Sequence, residues 1–108
     1  MTVNWTRVKD WHVARFRDRD LDEVDEESRD VRSYVQRLPT GSKVAINFDG
    51  VAWVSSNAIS LILHARDAVI GRGGTFVITA PGERMMEALR IAKLEGRLTI
   101  RNSTDELD

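Results

Sequence analysis

Three consecutive segments constrain this chain more than anything else in it. Lys43-Val44-Ala45-Ile46-Asn47-Phe48 alternates Val44, Ile46 and Phe48 with small or polar residues, the pattern of a central strand. Residues 58–70, AISLILHARDAVI, are apolar along one side (Ala58, Leu61, Ile62, Ala65, Ala68, Val69), with His64, Arg66 and Asp67 towards the other. That spacing predicts a buried amphipathic helix, stopped by Gly71-Arg72-Gly73-Gly74. Thr75-Phe76-Val77-Ile78-Thr79 reads as another strand. A strand, helix and strand in so short a span imply a right-handed crossover between parallel neighbours.

The flanks extend this unit. Residues 3–8 and 11–16 carry Val, Trp, Thr and Phe around Lys9-Asp10 and predict a β-hairpin. Residues 18–30 hold eight acids against two arginines, a local net charge of −6. The stretch suits either a basic partner or, more simply, a solvated helix entry, where carboxylates meet the positive end of the dipole. Leu21, Val24, Val31, Tyr34, Val35 and Leu38 keep helical spacing and predict a helix over 23–38, ended by Pro39-Thr40-Gly41-Ser42. Asp49-Gly50 turns the chain into a short apolar approach, Val51-Ala52-Trp53-Val54. Pro81-Gly82 opens a third helix over 83–93, which Gly96 breaks, and residues 98–100 form a last strand. The expected fold is α/β: one domain over 1–108, order β-β-α-β-α-β-α-β, with a mixed, mostly parallel sheet and packed helices. The acidic tail, 102–108, is expected to fray.

Composition excludes several functions. The chain has no cysteine, so disulfides, thiolate catalysis and cysteine-held metals are out. Its net charge of −1 offers no general attraction to nucleic acid or anionic membrane. No apolar run approaches bilayer-spanning length, and the polar start, Met1-Thr2-Val3-Asn4, does not resemble a signal peptide, so a cytoplasmic location is expected. His12 and His64 have no metal-ligand spacing around them and read as structural or solvated residues. Ser55 and Ser56 lack the flanking glycines of a nucleophile elbow, and His64 stands about 12 Å of helical rise away. The glycines at 71–74 follow a helix, whereas a phosphate-cradling loop precedes one. The expectation is a non-enzyme without catalytic residues, metal or cofactor.

What remains is the corner Ser55-Ser56-Asn57 at the start of the most apolar helix. One of these side chains can cap the helix, worth about 1 kcal/mol. A serine hydroxyl there is also a place where phosphate, adding about −1.5 to −2 charge, meets unsatisfied N–H groups. The residues alone leave both readings open.

The run from Lys43 through Ala58, then Ile59–Leu63 and the Gly73-Gly74 stop, resembles the STAS domain of bacterial anti-sigma-factor antagonists. That family places Asp-Ser-Ser-Gly between a strand and an apolar helix. Here Ser55 stands in the place of the Asp, Asn57 of the second serine and Ala58 of the glycine. The resemblance implies a protein-interaction module, docking through Ser55, Ser56, Asn57, Ala58, Ser60 and His64. It implies a phosphoacceptor at Ser56, with Ser55 as competitor. The implied partners are a histidine-kinase-like Ser/Thr kinase doubling as anti-sigma factor and a PP2C-type phosphatase. Other members act as scaffolds of sensory complexes or accessory subunits of lipid-transport ATPases, without phosphorylation, and that alternative stays open.

Overall fold

A computed structural model describes the backbone of residues 3–16, 20–21, 25–51, 53–54 and 56–108, and side-chain surroundings for 3–16, 29–51 and 58–108. The hairpin forms as the alternation requires: β1 (Val3–Val8) and β2 (Trp11–Phe16) pair antiparallel, from Val3 opposite Phe16 to Val8 opposite Trp11. Lys9 takes the left-handed φ of +54° at the turn. β3 (Asp20–Leu21) precedes α1 (Asp25–Gln36), and β4 (Lys43–Asn47) follows it. Then come β5 (Trp53–Val54), α2 (Ser56–Gly71), β6 (Thr75–Thr79), α3 (Glu83–Ile91) and β7 (Thr99–Arg101). The main sheet runs β1-β2-β4-β6-β7; every pairing after the hairpin is parallel. This is the α/β fold expected, with β4 central as its pattern required.

All three helices bury their apolar stripes against one face. Val31 and Val35 of α1, Leu61, Ile62, Ala65 and Val69 of α2, and Met85 and Leu89 of α3 join Ala14, Val44, Ile46, Phe76 and Ile78 of the strands. Alternation sends Trp11, Val13, Ala45 and Val77 to the other face, as a separate apolar cluster. Trp5 of β1 stacks on Tyr34 of α1, centroids 3.7 Å apart, and His12 Nδ1 lies 3.3 Å from the Tyr34 hydroxyl. These contacts fasten α1 over the hairpin.

The junction between α2 and β6 requires glycine. A Cβ on Gly74 would stand 2.3 Å from the Ser42 carbonyl oxygen and 2.9 Å from Val69 Cγ1, and Gly73 holds φ of +74°. The helix ends there because its backbone passes against the entry to β4: Gly74 N–H donates to Val69 and Thr75 N–H to Ser42.

Four expectations need correction. The acidic stretch is not simply a helix entry, because Asp20–Leu21 is a strand and α1 begins only at Asp25. α1 also ends at Gln36, where Arg37 and Leu38 N–H groups tighten onto Tyr34 and Val35 carbonyls. α3 closes before Gly96: Lys93 takes φ of +60° and Leu94 N–H reaches back to Leu89. The tail does not fray. Residues 104–106 form a 3-10 turn and Leu107 is only 2% exposed.

Candidate functional site at the start of the second helix

The corner is built from four supports. Phe48, at the end of β4, is buried and lies against Phe16 with ring centroids 5.7 Å apart. Beyond it the chain reverses: Val51 N–H donates to the Phe48 carbonyl at 3.0 Å, and Asp49 N–H to Asn47 Oδ1 at 2.9 Å. Gly50 supplies the positive φ of +86° that this reversal needs. β5 then pairs in parallel with β3, Trp53 opposite Asp20 and Val54 opposite Leu21. α3 packs beside β5, where Gly82 comes within 3.9 Å of the Val51 carbonyl oxygen on adding a Cβ. A short, doubly flanked strand therefore delivers the chain to α2.

Ser56 is the first residue of α2 and Asn57 the second. Ser55 lies outside the described residues. Ala58 is fully buried, so its side chain serves the core and offers nothing to a partner's surface. Ser60 and His64 are exposed, one and two turns beyond Ser56. Their opposite side is closed: Leu61, Ile62 and Ala65 are at most 1% exposed. The structure thus aligns Ser56, Ser60 and His64 along one helix and withdraws Ala58 from the group.

The first turn of α2 carries no acidic residue, so no carboxylate of that turn meets the positive helix end. Its backbone neighbour through β5 is the acidic stretch, at Asp20. This adjacency could not be read in the sequence, because a two-residue strand has no periodicity. His12, the other histidine singled out, lies away on β2. Burial, and secondarily the charge of cross-strand Arg7, hold its pKa below the usual 6.5. Among the described residues no cluster of three or more His, Cys, Asp or Glu could hold a metal, and no helix is long and apolar enough to cross a membrane.

Known proteins agree with this architecture. An anti-sigma-factor antagonist (STAS) domain protein from Planctomyces limnophilus superposes with a TM-score of 0.84 at 17% identity, over 96% of this chain and 92% of that one. The anti-sigma factor antagonist SpoIIAA, in its unphosphorylated form, superposes with a TM-score of 0.79 at 14% identity, over 98% of this chain and 93% of that one. At these identities the likeness concerns the fold. No curated protein matches the chain. The STAS domain model matches residues 12–107, and on that match the chain belongs to the STAS domain family.

Proposed function

We propose that this protein is a non-catalytic interaction regulator of the anti-sigma-factor-antagonist kind, docking a partner through the start of α2. The observation that supports it most is that Ser60 and His64 lie exposed one and two turns beyond Ser56, on a helix whose other side is the core. Such a helix can be covered by a partner without disturbing the fold, since its buried side holds it in place. The proposed docking residues are Ser55, Ser56, Asn57, Ser60 and His64. The partner is a histidine-kinase-like anti-sigma factor, with a PP2C-type phosphatase reversing its action.

Ser56 is the proposed acceptor, with Ser55 next to it in the chain. Phosphate on Ser56 would be tolerated by the free protein, because the N–H groups of the first turn and the helix dipole favour an anion there. In a docked, desolvated contact the same charge lacks a partner and costs several kcal/mol. Modification would therefore switch association and leave folding alone. The second reading, a constitutive scaffold or transporter subunit, draws on the corner itself. Ser55 occupies the family's Asp position, and Ala58 puts a buried methyl group at the family's glycine.

The test is capture of bound proteins from the native cytoplasm, with mass spectrometry of Ser55 and Ser56. Binding of the captured partner is then compared for wild type, Ser56→Asp, Ser56→Ala and Ser55→Asp. A partner lost on Ser56→Asp and kept on Ser56→Ala supports the switch. Equal binding by all four leaves the scaffold reading in its place.

A further inference from the structure

Mostly parallel sheets are ordinarily covered on both faces. Here the helices take one face, and residues 102–108 lie on the other. Among the described residues, Leu107 is the single side chain from outside the sheet in the cluster of Trp11, Val13, Ala45 and Val77. Two further bonds hold it: Lys9 Nζ donates to the Leu107 carbonyl at 2.7 Å, and Trp11 Nε1 donates to the Asp108 main-chain oxygen at 2.9 Å. The segment keeps its own shape, because the Glu106 carboxylate accepts the N–H groups of Asn102 and Ser103 at 2.8 and 3.2 Å.

We propose that this face is a peptide-docking site, occupied in cis by residues 102–108, which also accepts in trans an acidic partner segment with one anchoring leucine. The division of labour points to recognition. Lys9 and Trp11 bind main-chain oxygens, while the apolar patch takes one side chain. Charge selects the rest. Lys43 Nζ lies 5.6 Å from the Trp11 ring centroid, so two lysines border the patch. The residues around Leu107 are Asp105, Glu106 and Asp108. The segment is thus acidic in sequence where the border of the patch is basic, with Asp105 before the anchoring leucine and Asp108 after it. The site is on the face opposite the helices, so it is independent of the corner at Ser56.

The test uses the full chain and a fluorescent peptide of residues 102–108, with a second peptide carrying Leu107→Ala. Leu107→Ala protein, whose own segment has lost its anchor, should stay folded and bind the first peptide at least about tenfold more tightly than the second. Wild type, with its site filled, should bind the first peptide at least about tenfold more weakly than the variant does. Adding Lys9→Met should weaken the variant's binding. Wild type supplies a further measurement. Hydrogen exchange at the Trp11 indole should proceed through local opening, faster than at the Ile46 and Ile78 amides of the core strands. Equal binding of both peptides, an indole as protected as those amides, or an unfolded Leu107→Ala chain would make the segment ordinary core and overturn the proposal. A wild-type dimer that Leu107→Ala dissociates would mean exchange between copies and overturn the partner reading too.

Discussion

The two faces of the sheet are closed in different ways. One is covered by three helices, which together supply side chains to a continuous core that includes Ile46, Phe48, Ile62, Ile78 and Leu89. The other is covered, among the described residues, by one leucine and two hydrogen bonds to main-chain oxygens. Burying a leucine contributes about 1.5–3 kcal/mol, a share that a single short segment can lose without dissolving a domain. The helical layer has no such option, since its three helices together bury a continuous set of side chains against the sheet. The same strands thus carry an extensive cover on one side and a cover anchored by one leucine on the other.

The helical face should show the largest losses. Ile62 is fully buried in the middle of α2, and Ile62→Ala should cost about 2–5 kcal/mol in denaturant unfolding. Gly74→Ala should cost about 1–3 kcal/mol, because the methyl group meets the Ser42 carbonyl, a backbone atom that cannot turn aside. Leu107→Ala should cost less than Ile62→Ala, below about 2 kcal/mol, because the segment can lift and let water reach the patch. If Leu107→Ala proves as costly as Ile62→Ala, the two faces are equally integral and the contrast between them fails.

A smaller effect separates the edge of the helical face from its centre. His12 sits at that edge beside Tyr34, with a pKa lowered first by burial and then by Arg7. The unfolded chain therefore binds a proton more readily than the folded one, and stability falls as pH drops from about 6.5 towards the folded pKa. Above 6.5 both states carry a neutral ring and the contribution is complete. His12→Gln keeps a hydrogen-bonding group near Tyr34 and removes the titration. Its melting temperature should fall less steeply between pH 7 and 5 than that of wild type. An unchanged slope would place the acid sensitivity in the carboxylates instead.

What the sequence shows of these two faces differs for a physical reason. Alternation and helical spacing are local, so β1, β2 and β6 were legible to the residue, and α2's buried side was legible from Ala58, Leu61, Ile62, Ala65 and Val69. The cover of the far face was not. Leu107 stands alone among acids, and its partners Lys9 and Trp11 are nearly the whole chain away in sequence. The tail looked frayed because nothing within it announces the contact. The corner lies between these extremes. Three capping residues before an apolar run mark the helix start, whereas the β3–β5 pairing that positions it joins two-residue strands without a pattern. Ala58 belonged to the motif by position, but its burial follows from the helix's rotation, with Leu61, Ile62 and Ala65 on the same side.

The smallest expected effect on stability falls at the site proposed for function. Ser56→Asp places a carboxylate at the first residue of α2, where the helix dipole favours negative charge by about 0.3–1 kcal/mol. Hydration of the new carboxylate in the unfolded chain offsets part of that gain. The two terms have opposite sign, so melting should shift by no more than a few degrees in either direction. Partner binding should respond quite differently. A charge trapped in a docked contact is not relieved by the dipole alone, and affinity should fall at least about tenfold. Raising the salt concentration separates the two terms further. It should screen the helix-dipole interaction in the free protein, while leaving the loss at the dry interface largely in place. A Ser56→Asp chain that melts far below wild type would show that this helix end is part of the structural core, as Ile62 is, and not a surface where charge can be added and removed.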